Sequence, residues 1–400
     1  MTRSSDATVD PALVRRNASV LACAQALGGA SPAIVVSLGG IVGTTIAPDP
    51  ALATLPVSVF NLGLAIGTVP AGMLMRRAGR RGGYLVGCGL GLAAGLLAAI
   101  AIARGAFALF CVATLVAGFY SSFIQSYRFA AADGVPPDQR ARAISRVMLG
   151  GLAAAVIGPQ TVIWTRDLVD GVPFAGAFLG QAGLAFLAVP VILAIRPVPA
   201  PPASAGGGRP LLEILRQPRF LVAVAAGLVS YGLMSFVMTA APVAMIGCGH
   251  SVGAATLGIQ WHILAMYGPS FVTGRLIERY GKARITMVGL ALIAVAAVIG
   301  LSGITIAHFW VALVVLGLGW NLGFIGATAL VTDCYRPEER ARVQSMNDFL
   351  VFGAVAVASF SSGRLLDAGG WTAVNGLVFA PVALALVLLA ATARTLRPAA

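Results

Sequence analysis

A chain of 400 residues that is 58% hydrophobic and only 10% charged cannot cover the polar surfaces of water-soluble domains. Its net charge of +13 falls in short clusters between long apolar runs, which excludes a nucleic-acid-binding face as the reason for the basic balance. What remains is an all-α membrane protein that crosses the bilayer many times, because open strand edges do not survive in lipid.

A hydrocarbon core about 30 Å thick takes roughly 20 apolar residues per helix. Twelve such runs follow one another, numbered here helix one to helix twelve: 18–42, 52–75, 83–103, 105–130, 142–164, 172–195, 219–246, 252–277, 284–304, 307–331, 341–364 and 371–393. Residues 1–17 are a polar tail. The first run lacks the cleavage site of a signal peptide and is expected to stay as a helix. Residues 18–195 then form one six-helix bundle and 219–393 a second. Between them 196–218, "RPVPAPPASAGGGRPLLEILRQP", reads as a linker with a short surface helix, and 394–400 is a closing tail.

Of the 27 basic residues, 23 fall in the tails and loops on the side of the N-terminus. Arg104, Arg166 and Arg364 fall on the other side, and Arg128 lies within helix four. This asymmetry places both termini in the cytoplasm and predicts a multi-pass protein of the bacterial inner membrane, its basic loops against anionic headgroups. The five cysteines form no Cys-x-x-Cys pair and are expected to pack as small hydrophobes. His250, His262 and His308 are too scattered for a metal site, and no cofactor is expected.

The chain repeats itself. "DGVPPDQRARAIS" (133–145) matches "DCYRPEERARVQS" (333–345), and "GMLMRRAGRR" (72–81) matches "GRLIERYGKA" (274–283). Gly72, Leu74, Arg77 and Gly79 align with Gly274, Leu276, Arg279 and Gly281, each copy following the second helix of its half. Two halves that both enter from the cytoplasm are parallel repeats about an axis along the membrane normal.

Twelve helices, the tandem repeat, the mid-chain linker and the doubled glycine–arginine loop together resemble the major facilitator superfamily. The resemblance implies a monomeric secondary transporter of a small-molecule substrate. Its two pseudo-symmetric six-helix bundles rock about a central cavity, which is lined by helices one, four, seven and ten. Gly158–Pro159, preceded by Gly150–Gly151, is similar to the antiporter branch of the family; Thr114 stands where many antiporters carry an arginine. The fifth position of the family's loop motif is acidic. The second half has Glu278 there, and the first half has Arg76. The family's packing of helix two near eleven and five near eight then predicts a cytoplasmic gate. In it Arg76 pairs with Asp348 and Glu278 with Arg146 when the cavity is shut to the cytoplasm, with Arg80 beside them at the headgroups.

The predicted cavity residues are Gln25 on helix one, Ser121, Gln125 and Arg128 on helix four, Tyr231 and Ser235 on helix seven, and Trp320 and Asn321 on helix ten. Ser121, Gln125 and Arg128 share one face by spacing. Each small polar residue has a second possible role, in interhelical hydrogen bonds, and Arg128 a second possible partner in Asp133. Trp261 is expected to add aromatic surface. Asp348 is the one acid clearly inside a run, so a proton as coupling ion would use Asp348 or His262. A positive, aromatic cavity suits a neutral or weakly anionic solute with a flat part and disfavours a multiply charged cation. Uptake of a vitamin-like aromatic metabolite and efflux of a drug or metabolite by proton antiport both remain open, as does uniport. A membrane-embedded enzyme or a sensor on the same fold is the reading outside this class; no catalytic constellation or signalling domain is visible.

Overall fold

The computed structural model of the protein describes residues 11–131, 137–196 and 208–392, so most of both tails, part of the linker and 132–136 of the first loop repeat lie outside the described residues. Every described element is helical. Nine stretches are long and apolar enough to cross a membrane among the described residues, and two of these, Pro50–Ala103 and Arg342–Thr392, are long enough for two crossings each. Gly79 (φ 71°) divides the first of them and Gly370 (φ 66°) the second. A further crossing, helix eight, is broken into Val252–Tyr267 and Ser270–Tyr280 at Gly268–Pro269, where proline has no N–H to give the helix. The twelve runs read from the sequence all fall on helix.

The doubled loop motif has a conformational cause. Gly79 and Gly281 occupy the same backbone region, φ 71°, ψ 167° and φ 89°, ψ 149°, which a residue with a Cβ enters only at a cost. Each ends one helix and starts the next within a single residue. Other turns are fixed by side-chain caps: Asp49 accepts from the Ala51 N–H at 2.9 Å and Ser251 from the Ala254 N–H at 3.1 Å.

Inside each bundle the helices approach until backbones touch. A Cβ on Gly118 of helix four would collide with the Phe60 carbonyl of helix two, and one on Gly63 with the Leu115 carbonyl. In lipid this contact is the main source of cohesion, since tails compete for apolar surface as well as side chains do. Across the bundles, helix one packs on helix seven, two on eleven, and five on eight.

The end of the linker that precedes the second bundle is tied to that bundle. Glu339, fully buried between helices ten and eleven, accepts from the Arg209 side chain (Nε 2.9 Å, Nη2 2.8 Å), from the Arg209 N–H at 2.8 Å and from the Arg336 N–H at 2.9 Å. The Arg209 side chain first, then the Arg336 N–H, hold this carboxyl well below the usual carboxylate range. The stabilisation is therefore present throughout neutral pH and is lost only as pH falls through that depressed value.

Gly118→Val should force helices two and four apart and cost about 1–3 kcal/mol, read as a lower melting temperature and a smaller folded fraction by size exclusion. Gly89→Ala, where a Cβ meets nothing within 4 Å, should leave both unchanged.

Candidate substrate cavity

A concavity runs between the bundles and is lined from both. The first bundle contributes Gln25, Asn61, Ser121, Gln125 and Arg128, and the second Tyr231, Ser235, Tyr267, Trp320, Phe324, Asp348 and Phe352. The structure brings seven of the eight predicted cavity residues together. Asn321 lies outside the lining: fully buried, its Nδ2 donates to the Met266 carbonyl at 2.6 Å and to Ser270 Oγ at 2.8 Å, and its Oδ1 accepts from Thr273. It holds helix ten across the break in helix eight. His262 is fully buried outside the lining too, with Nδ1 2.7 Å from the Leu313 carbonyl. Trp261, one residue earlier, points away and is 44% exposed on the outer surface of helix eight.

One wall is aromatic. Trp320 and Phe324, one turn apart on helix ten, lie nearly parallel, with centroids 5.4 Å apart and planes 18° from one another. Tyr231 meets both edge-on, at 5.3 Å and 4.9 Å, Phe352 closes on Tyr231 at 5.9 Å, and Tyr267 on Trp320 at 5.9 Å. The Trp320 Nε1–H is buried without an acceptor among the described residues. Facing this wall is an amide and hydroxyl surface from helices one, two and four.

The two ends of the cavity differ. On the face away from the basic loops, Ser359 of helix eleven ties three helices together. Asn61 of helix two donates to its Oγ at 2.8 Å, Ser235 of helix seven meets the same Oγ at 2.8 Å, and Thr54 donates to its carbonyl at 3.2 Å. Beside them Gln160 of helix five donates to Gln260 of helix eight at 2.9 Å, and Val36, Val57 and Ile259 form a dry cluster across the seam. At the other end the lining runs down to Arg128, Met148 and Asp348. The side-chain hydrogen bonds Thr54–Ser359, Asn61–Ser359 and Gln160–Gln260, which join the bundles, lie at the opposite end. The seal is on one face and the mouth on the other.

Neither expected gate pair is made in this conformation. Arg76, Arg146 and Glu278 are exposed at the basic face, and Asp348 lines the cavity with Arg128, its Oδ1 accepting from Asn347 at 3.3 Å. Among the described residues the ion pairs are Arg166–Asp167, Arg209–Glu339 and Lys282–Asp333. Sequence reasoning missed Asn61, Thr54 and Ser359, which look like ordinary small polar residues of apolar helices; only their positions in facing bundles distinguish them. Phe324 was open to discovery as the residue one turn after Trp320.

The family model of the Major Facilitator Superfamily matches residues 18–298 and 263–400. The chain belongs to this superfamily. It is a secondary transporter of a small solute in a membrane and not an enzyme. It is 58% identical to the Riboflavin transporter RfnT of Brucella anthropi over 95% of this chain and 96% of that protein. It is 32% identical to the Uncharacterized MFS-type transporter YdeG of Bacillus subtilis over 91% of this chain and 88% of that one. In fold it is similar to a bacterial homolog of the human lysosomal transporter Spinster, solved inward-facing and unoccupied (TM-score 0.71, 15% identity, 98% of this chain and 100% of that one). The nucleoside transporter NupG is similar as well, with TM-score 0.69 and 13% identity over 96% of this chain and 100% of that one.

If the Ser359 seam seals the transporter, Asn61→Ala with Ser359→Ala removes hydrogen bonds worth about 0.5–1.5 kcal/mol each and shifts it toward the opposite state. In a background freed of the native cysteines, a cysteine at Ser121 should then react about tenfold faster with an impermeant maleimide added from the sealed face. An unchanged rate would mean that the seam is not the seal.

Proposed function

We propose that this protein carries riboflavin, or a close flavin relative, across the bacterial inner membrane. The observation that carries the reading is its similarity to RfnT along nearly the whole of both chains. The chemistry of the cavity agrees. Riboflavin is a neutral, flat, tricyclic ring with a pyrimidine-like edge of donors and acceptors and a polyhydroxylated tail. The Trp320–Phe324 wall offers a parallel surface for the ring, and the Trp320 Nε1–H an unsatisfied donor at its edge. Gln25, Gln125, Asn61 and Ser121 opposite suit the tail and the polar edge.

In this reading the basic face is cytoplasmic, both termini lie there, and a single chain suffices, since one chain supplies the whole lining. The described conformation is then open to the cytoplasm, and the Ser359 seam seals the outer side. Arg76–Asp348 and Glu278–Arg146 belong to the alternate state. Asp348, at the mouth, is the group that would exchange a proton, because His262 is enclosed among helices eight and ten. Because riboflavin is neutral, proton symport would be driven inward by an acidic exterior.

The test is labelled riboflavin uptake into proteoliposomes, with and without a pH gradient. Saturable uptake is expected. Trp320→Ala should reduce it about fivefold or more, since stacking a flat heterocycle on an aromatic ring is worth about 1–3 kcal/mol, while Trp320→Phe retains part of it. Asp348→Asn should remove stimulation by the gradient and leave exchange of labelled for unlabelled riboflavin. Absence of saturable riboflavin transport by active, folded protein would overturn the substrate assignment.

A further inference from the structure

Helix eight consists of two segments with unequal holds on the second bundle. Val252–Tyr267 is fastened to helix ten along its length. Trp310 Nε1 donates to the Ala254 carbonyl at 2.9 Å, His262 Nδ1 lies 2.7 Å from the Leu313 carbonyl, and a Cβ on Gly317 would meet the His262 carbonyl at 2.6 Å. Ser270–Tyr280 carries Arg275, Glu278 and Arg279 on the basic face, and of its described residues Thr273 alone is buried. Between the segments Gly268 (φ −55°, ψ −49°) and Pro269 (φ −68°, ψ −13°) keep helical angles, but Pro269 has no N–H to return to the upper segment. A helix with that defect bends there at little cost to its backbone.

We propose that Asn321 is the positioning residue of this hinge and passes the state of the cavity wall to the basic-face segment of helix eight. Its amide spans the break. Nδ2 donates to the Met266 carbonyl at 2.6 Å above the break and to Ser270 Oγ at 2.8 Å below it, and Oδ1 accepts from Thr273 Oγ1, the buried anchor of the lower segment. Asn321 is fully buried, so a bond lost here leaves a polar group dry and the three bonds hold together. Its neighbour Trp320 lines the cavity and meets Tyr267, the last residue of the upper segment, at 5.9 Å. A solute stacked on Trp320 thus bears on the same turn of helix ten that holds the lower segment. A shift of that turn tilts Ser270–Tyr280, and Glu278 with it, a motion added to the rocking of the bundles. The two halves differ in this respect. Helix two runs on through Pro70 to Gly79, and Ser121, which stands at the repeat position of Asn321, donates to the Ala117 carbonyl of its own helix at 3.0 Å. The solute that tests the coupling rests on the riboflavin reading; the brace itself does not.

The test is double electron–electron resonance within the second bundle. Spin labels go at Arg275, below the break, and at Arg219, at the foot of helix seven, both exposed, in full-length protein freed of its native cysteines. Rocking of rigid bundles leaves this distance fixed, and bending at the hinge changes it. Without solute, Thr273→Val, which keeps the size of the side chain and removes its hydroxyl, should broaden the distance distribution. Asn321→Asp, which cannot donate as a carboxylate, should do the same, and Thr273→Ser should not. Riboflavin should shift the wild-type distance. In Thr273→Val and Asn321→Asp the shift should vanish and net uptake should fall about fivefold or more, with riboflavin affinity kept within about twofold. Thr273→Ser should restore both. A melting curve checks that each variant is folded, and Thr273→Val decides the matter if Asn321→Asp is not. A solute-free distribution in Thr273→Val identical to that of the wild type, or a riboflavin-dependent shift that survives in it, would overturn the proposal. A wild-type protein that binds no riboflavin would overturn the substrate reading, and the solute-free comparison would still decide the brace.

Discussion

A hydroxyl or amide inside a bilayer gains by finding a partner, and the transporter turns this gain into a seal. Ser359 has partners on helix two and helix seven at once, so its hydrogen bonds are complete only when the two bundles meet. The seam contains no charge. Uncharged hydrogen bonds of this kind are individually modest in a membrane, about 0.6 kcal/mol on average, so a few of them close the face without locking it. A seal made of buried ion pairs would be far harder to open, since separated charges would be left in lipid.

The cavity beneath the seal divides its labour between the bundles. Most aromatic rings come from helices seven, eight, ten and eleven, with Phe60 from helix two, and most of the amide and hydroxyl groups from helices one, two and four. A solute with a flat apolar side and a polar edge is thus gripped by both bundles together, and rocking of one against the other changes its access without requiring the wall to be rebuilt. Backbone contact within each bundle, as at Gly118 against Phe60, makes each half stiff enough to move as a body.

Much of this was legible in the sequence, for physical reasons. The length of apolar runs is dictated by the bilayer, and Gly79 and Gly281 stand where only glycine turns the chain comfortably, so crossings and repeat could be read directly. Placing Gln25, Gln125 and Trp320 in the cavity required only which helices face the axis. Azimuth within a helix was harder. Trp261 and Trp320 look alike in composition, yet one faces outward and the other the cavity, because in lipid both faces of a helix are apolar and periodicity fades. Asn321 and Asn61 were likewise inseparable by type: one braces a helix break, the other crosses the seam. Glu339 gave no signal at all, since its partner Arg209 lies 130 residues away in the linker.

Alternation of the two faces is the central claim, and paired distances measure it. Spin labels at Asp170 and Asp367 report the sealed face, and labels at Arg77 and Arg275 the basic face; all four positions are exposed. Ser359→Trp, too large for the closed seam, should lengthen the first distance and shorten the second in double electron–electron resonance. Lengthening of the first with no change in the second, or movement of both in the same direction, would contradict a two-bundle rocking mechanism.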